Sequence, residues 1–108
     1  MTFTKEQVQA LPNFNTMYRL KAFHEDKGLY FFTQDAMRFF RSRIHSDVYG
    51  GCVFVTSERQ YGRRRYFSVR HIDANGNIQT VGEFQGFDTR SKAHTFAKNL
   101  GEKIDSMR

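Results

Sequence analysis

Arg65-Tyr66-Phe67-Ser68-Val69-Arg70-His71-Ile72-Asp73, then Ala74-Asn75-Gly76-Asn77, then Ile78-Gln79-Thr80-Val81-Gly82-Glu83-Phe84 is the stretch that decides the fold. In its first part Phe67 and Val69 alternate with Tyr66, Ser68 and Arg70, which is the period of a half-buried strand. Ile78 to Phe84 alternates less cleanly. Asn75-Gly76 between them is a strong short hairpin signal, since these residues accept the positive φ of a tight turn. Upstream, Cys52 to Glu58 is β-branched and aromatic, and the short Tyr61-Gly62 connection suggests a second hairpin. Together the three segments predict an antiparallel meander.

Downstream, Asp88 or Thr89 caps a helix in which Ala93, Phe96, Ala97, Leu100 and Ile104 form one apolar stripe. Arg90, Lys92, Lys98 and Lys103 stay mostly off it. A three-stranded sheet needs such a cover for its apolar side, so the helix is expected to lie across one face and leave the other available. Upstream of the meander, Thr4 to Leu11 reads as a short helix with Thr4 and Gln7 as a capping box and Pro12 as its stop. Met17 to Phe32 admits more than one structure. Tyr18, Leu20 and Ala22 alternate with Arg19 and Lys21, His24 to Gly28 is turn-like, and Leu29 to Phe32 is short and apolar, so we read a hairpin. Thr33 caps a further helix, with Asp35 in its first turn, Ala36, Met37, Phe40 and Ile44 at helical spacing, and Arg43 at its C-terminal end.

The expected fold is therefore α+β: a three-stranded antiparallel meander packed against a C-terminal helix, preceded by a helix and an N-terminal hairpin. With 108 residues the chain makes one domain. Residues 1–50 are an N-terminal helical and hairpin elaboration, and residues 51–108 are the sheet-and-helix core.

The charge is +6 with 12 phenylalanines and no tryptophan. Most of these rings are expected in the core, where each buries a large area. The pI near 9.8 suits a nucleic-acid binder but does not require one. Between Arg59 and Arg70 there are five arginines and no acidic residue. The one cysteine, Cys52, excludes an internal disulfide and a cysteine-built zinc site, and reads as a small buried hydrophobe in a reducing compartment. No segment is apolar and long enough to span a membrane, and Met1 to Glu6 lacks a signal-peptide layout, so a cytoplasmic protein is expected (host cytoplasm if phage-encoded).

Catalysis finds little support. His24, His45, His71 and His94 are scattered without metal-ligand spacing, although His45 and Asp47 are neighbours. Gly50-Gly51 precedes a strand and is no phosphate loop. Ser57 and Ser68 lack a nucleophile elbow. Glu58 and Glu83 could approach each other across the sheet, but pairing with arginine at the surface is the better reading. No catalytic residue, metal ligand or cofactor is assigned. Binding fits better. A two-stranded ribbon can enter the major groove, where arginine makes two bonds to guanine. Tyr66, Ser68 and Arg70, extended by Thr56 and Arg59, form the expected outer face. Arg63, Arg64 and Arg65 lie at or near the hairpin tip, where they would meet phosphates. Arg65 and Arg70 point to opposite faces of the strand. Phe39 and Phe40, between Arg38 and Arg41, read first as part of a broad buried stripe, with one of them exposed as a partner contact as the alternative.

Phe87-Asp88-Thr89-Arg90-Ser91-Lys92-Ala93, after three strands ending in Val81-Gly82-Glu83-Phe84, resembles the aromatic-x-Thr-basic-x-x-Ala opening of a helix in two related modules. These are the DNA-binding domain of plant ethylene-response factors and the arm-site-binding domain of phage-type tyrosine integrases. The resemblance implies that the sheet enters the major groove, with Arg59, Arg65 and Arg70 as candidate contacts. The order helix, meander, helix is also similar to that of double-stranded RNA-binding domains. Over residues 29–100 the chain further resembles small phage and mobile-element accessory proteins, through Tyr30-Phe31-Phe32-Thr33, Met37-Arg38-Phe39-Phe40, Phe54-Val55-Thr56-Ser57-Glu58 and Thr80-Val81-Gly82-Glu83-Phe84. The function expected is a small basic nucleic-acid-binding accessory protein with Arg59, Arg63, Arg64, Arg65, Tyr66, Ser68 and Arg70 as its site, acting on nucleic acid, duplex DNA first. The alternative is a phage-type inhibitor or adaptor that binds a host protein, for example a defence component, without catalysis.

Overall fold

The computed structural model describes residues 3–33, 37–38, 43–59 and 63–108. Its elements are α1 (Lys5–Ala10), α2 (Met17–Asp26), β1 (Arg43–Ile44), β2 (Val53–Glu58), β3 (Tyr66–Ile72), β4 (Ile78–Val81) and α3 (Arg90–Met107). The strands form one antiparallel sheet in the order β1-β2-β3-β4. The fold is α+β, and α3 packs on β2 and β3. Among the described residues no helix is long and apolar enough to cross a membrane.

The meander forms as its pattern predicts. β2 pairs with β3 so that Phe54 faces Arg70, Thr56 faces Ser68 and Glu58 faces Tyr66. β3 pairs with β4 through Arg70 and Thr80. In the turn between them, Asp73 Oδ1 accepts from the backbone N–H of Asn75 and of Asn77, and Gly76 takes a φ of 85°. This is the positive φ for which the Asn-Gly pair argues. The Tyr61-Gly62 connection lies outside the described residues.

Period-two alternation splits the sheet into two faces. Val53, Val55, Val69 and Val81 face α3, and all are buried with Ala93, Ala97, Leu100 and Ile104 of the helix. Thr89 caps α3 by accepting from the Lys92 N–H. Phe96, expected in the buried stripe, is 38% exposed. It lies at the margin of the stripe and packs on Phe87, with ring centroids 5.3 Å apart. Cys52 is fully buried, and burial pushes its thiol up to about 11.

The N-terminal half departs from the expected hairpin. Met17–Asp26 is helical. Thr16 caps it by accepting from the Arg19 N–H, and Met17, Leu20 and His24 are the buried positions. Their spacing of three and four residues is helical, while the apparent alternation would have buried Tyr18, which is 83% exposed. Phe31 and Phe32 lie in a turn instead of a strand, and their rings pack against Phe54 at 6.5 and 6.1 Å. His24 fastens this segment. Its Nδ1–H donates to Gly76 O (2.6 Å), and its Nε2 accepts from the Phe31 N–H (2.9 Å). α1 keeps its capping box, with Thr4 and Gln7 exchanging both bonds.

The helix expected from Thr33 to Ile44 is also revised at its end. Met37 N donates to Thr33 O, and Met37 and Arg38 are helical. Ala36, Phe39, Phe40 and Arg41 lie outside the described residues. Arg43 and Ile44 are not helical. They form β1, a fourth strand paired with Ser57 and Thr56. Two residues are too few to show a strand period.

Candidate functional site

The sheet face away from α3 carries Thr56, Glu58, Tyr66, Ser68, Arg70 and Thr80, as the alternation predicts, but it is not an open surface. Thr56, Glu58 and Ser68 are buried. The Glu58 side chain is 1% exposed and the Arg70 side chain 11%. Arg70 donates to Glu58 Oε1 (3.0 Å), Thr56 Oγ1 (3.1 Å) and Thr80 Oγ1 (2.6 Å). Glu58 also accepts from Thr56 (2.6 Å) and Ser68 (3.1 Å). The guanidinium lies between the rings of Phe31 and Phe84, 5.3 and 5.1 Å from their centroids. Gln85 closes the rim. Its backbone N–H donates to Ser68 Oγ (2.7 Å), from a left-handed conformation at φ 58° that costs about 1 kcal/mol in a non-glycine residue.

Two expectations are corrected here. Ser68 and Arg70 are not presented as a flat outer face, because the segment carrying Phe31 and the loop carrying Phe84 and Gln85 fold over it. Glu58 pairs with an arginine as expected, but the pair with Arg70 is buried instead of lying at the surface.

The other arginines of the expected site, Arg59, Arg63, Arg64 and Arg65, lie at one end of the sheet with Arg43 and Arg90. Arg43 starts β1 and pairs with Ser57. Arg65 donates through one guanidinium nitrogen to Ser57 O (3.0 Å) and Ser57 Oγ (2.9 Å). Arg59 Nε donates to Arg63 O (3.1 Å). Arg64 donates to Asp88 O (2.9 Å), just ahead of α3, and lies 5.5 Å from the Tyr66 ring. Arg90 opens α3. Arg43, Arg59, Arg63, Arg64 and Arg90 are exposed, while Arg65 and Tyr66 are half-buried. Of the carboxylates here, Asp88 is engaged by Lys92 at 3.1 Å, whose hydrogen bond and charge hold its pKa down. Arg59, Arg63 and Arg64 thus share one end with Arg65 and Tyr66, and Ser68 and Arg70 do not join them at the surface.

Beside this basic end lies a group that spacing along the chain did not reveal. His45 Nδ1 and His94 Nε2 share a hydrogen bond of 2.7 Å, and His94 Nδ1 shares another of 2.7 Å with the Tyr49 hydroxyl. The two imidazoles lie edge to edge and close to coplanar, with centroids 5.0 Å apart and planes 23° apart, and the ring of His45 meets Phe67 at a steep angle. The Asp47 carboxylate is 4.0 Å from His94 Nδ1. His45 follows β1 and donates its backbone N–H to Val55 O, while His94 sits one turn after Arg90 on α3. Burial, then His94, Arg90 and Arg65, lower the His45 pKa to about 4. Burial and Arg90 lower that of His94, and burial and Asp47 raise that of Tyr49. The histidines are 49 positions apart, so only tertiary structure joins them. The sequence signal, in retrospect, is Arg90 and His94 one turn apart on α3. Among the described residues no three His, Cys, Asp or Glu side chains are placed to hold a metal ion.

His71 is different again. It is buried, its Nδ1 has no partner among the described residues, and burial lowers its pKa.

A family model, "Family of unknown function (DUF7447)", matches residues 16–98. The chain belongs to this family. The match runs from the cap of α2 into α3 and so includes the buried Glu58–Arg70 network, the arginine end and the histidine pair. No curated protein and no solved structure matches the chain.

Proposed function

We propose that this DUF7447 protein is a small non-catalytic accessory protein that holds the phosphate backbone of nucleic acid, duplex DNA first, at the arginine end of its sheet. The observation that carries this reading is the joint placement of exposed Arg43, Arg59, Arg63, Arg64 and Arg90 around the ends of β1, β2, β3 and α3. Guanidiniums gathered on one surface bind phosphates by releasing condensed counterions, a term that needs no base recognition. The sheet face is a poorer candidate, since Arg70 already spends its donors on Glu58, Thr56 and Thr80. The resemblance to phage and mobile-element accessory proteins fits such a role. A cytoplasmic setting fits the single buried thiol.

A salt series on duplex DNA tests the reading. Affinity is expected to fall steeply with salt, with a slope of about 0.9 per phosphate neutralised. Arg63→Ala with Arg64→Ala should weaken binding uniformly across sequences and make that slope shallower by about 2. Absence of any DNA or RNA binding at low salt would overturn it, and would leave the host-protein adaptor as the reading to pursue.

A further inference from the structure

The arginine end accounts for attraction to phosphate, and a hollow beside it offers a contact of another kind. Where the chain passes from the sheet into α3, Phe87, Ser91, Lys92, Thr95, Phe96 and Asn99 line a space of about 410 Å³. This is the size of a small-ligand cleft. Two phenyl rings form its apolar part, with centroids 5.3 Å apart and planes 46° apart. Both are held from behind. Phe87 exchanges two backbone bonds with Phe67 of β3, at 2.8 and 3.1 Å. Phe96 precedes Ala97 on α3 and lies three residues after Ala93, both fully buried. The Phe96 side chain itself is exposed, so an aromatic surface on rigid elements faces solvent. Cations stand at one side of it. Asp88 directly follows Phe87. Its carbonyl accepts from Arg64 Nη2 (2.9 Å), and its carboxylate is bonded by Lys92 Nζ (3.1 Å). Arg64 and Lys92 thus meet beside the rings, and both are exposed. Among the described residues no carboxylate lines this hollow. Ser91, Thr95 and Asn99 add exposed hydroxyl and amide groups.

The combination selects the ligand. An apolar peptide side chain would fill the hollow and leave the cations unused. A nucleotide uses every part: its base stacks on an aromatic ring, its phosphate meets the cations, and its base edge bonds an amide or hydroxyl. A base inside a duplex is already stacked on its neighbours and has no free face to offer. We propose that Phe87 and Phe96, flanked by Arg64 and Lys92, form a stacking subsite for an unpaired nucleobase, on a strand whose backbone lies along the arginine end. Phe96 supplies the exposed ring, and Phe87 closes the side next to the sheet. Asn99, three residues along α3 from Phe96, has both a donor and an acceptor for the base edge. The choice of a nucleic-acid ligand rests on the phosphate-binding reading of the arginine end. The ring pair and its hollow stand independently of it. The consequence is a preference: paired strands are held through phosphates alone, and a junction with unpaired strand is held more tightly.

The test is fluorescence titration of the full chain with one short DNA in two forms, a blunt duplex and the same duplex with a few nucleotides of one strand left unpaired. The unpaired segment carries a 2-aminopurine, whose emission falls when it stacks. The blunt form has more phosphates, so charge alone favours it. The form with the unpaired segment should nevertheless bind about tenfold more tightly, the equivalent of one stacked base, and its emission should fall. Phe96→Leu keeps an apolar side chain at this exposed position but removes the ring, and should abolish both effects. Phe96→Tyr should keep both. Neither variant should alter the affinity of the blunt duplex or its salt slope. Equal affinity for the two forms with unchanged emission, or a Phe96→Leu variant that behaves as the parent, overturns the proposal and leaves the backbone-binding reading standing. Should neither form bind, the backbone-binding reading fails separately, and adenosine monophosphate alone decides the subsite. Saturable shifts of the Phe87 ring resonances that vanish in Phe96→Leu sustain it. Unmoved resonances overturn it and make an apolar segment of a protein partner the occupant to pursue.

Discussion

Arg70 and the arginines at the end of the sheet use one side chain in two opposite ways. Arg70 is enclosed: its donors are taken by Glu58, Thr56 and Thr80, and two phenyl rings cover its faces. Arg63 and Arg64 are exposed, and Arg64 reaches a backbone carbonyl across the solvent edge. An enclosed charge depends on its partners for folding, while an exposed one contributes little to stability and remains available to a ligand. The difference between the regions comes from what lies over them. Over Arg70 the chain folds back twice, through Phe31 and through Phe84.

Breaking that enclosure should give the largest effect. Glu58→Gln or Arg70→Ala leaves a buried charged group without its counter-charge and should cost about 3–5 kcal/mol of stability, read as a fall in the denaturant midpoint. Arg63→Ala with Arg64→Ala should stay within about 0.5 kcal/mol of the parent. Replacing both members of the pair, Glu58→Leu with Arg70→Met, should recover most of the loss, since a buried ion pair exchanged for apolar groups of similar volume is often neutral or better. Comparable losses for the Glu58 and Arg63/Arg64 variants would erase the distinction.

A smaller effect is expected where the two halves of the chain touch by backbone. A Cβ on Gly101 of α3 would lie 2.7 Å from Gly50 N and 2.7 Å from Tyr49 Cβ. Gly101→Ala should therefore cost about 1–3 kcal/mol through overpacking. It should also push Tyr49 away, so the His94 ring resonances should move while those of His24, on the opposite face, stay put. This links helix packing to the histidine pair through Tyr49 and leaves the Arg70 enclosure unaffected.

These regions also differ in how far the sequence reveals them. The alternation from Tyr66 to Ile72, the Asn75-Gly76 turn and the stripe of α3 are local patterns, and each forms as read except that Phe96 falls at the exposed margin of the stripe. Alternation assigned Ser68 and Arg70 to the correct face, but it carries no information on what crosses that face. Their burial depends on Phe31 and Phe84, which are distant along the chain. α2 departs from the expected hairpin because Tyr18, Leu20 and Ala22 satisfy a strand period while Met17, Leu20 and His24 satisfy a helical one, and propensity does not separate them over so short a span. β1 is two residues long and exists only because β2 offers it an edge. The arginine end was visible as a run in the sequence, but Arg43 and Arg90 join it only through strand pairing and the start of α3. His45 and His94 were visible only as scattered residues.

The finest contrast lies in acid. His45 is held down to about 4 in the folded chain, against 6.5 for the free side chain. The shifts of His94 and His71 run in the same direction, each caused first by burial. Between about pH 6.5 and 4 the unfolded chain thus binds protons that the folded chain does not. Linkage then fixes the sign: stability is complete above about 6.5 and declines as pH falls toward 4. The half-exposed rings are screened by water, which keeps the effect modest. Urea midpoints between pH 7.5 and 4.5 should fall steadily, and His45→Gln should flatten part of that slope, whereas Arg63→Ala should leave it parallel to the parent.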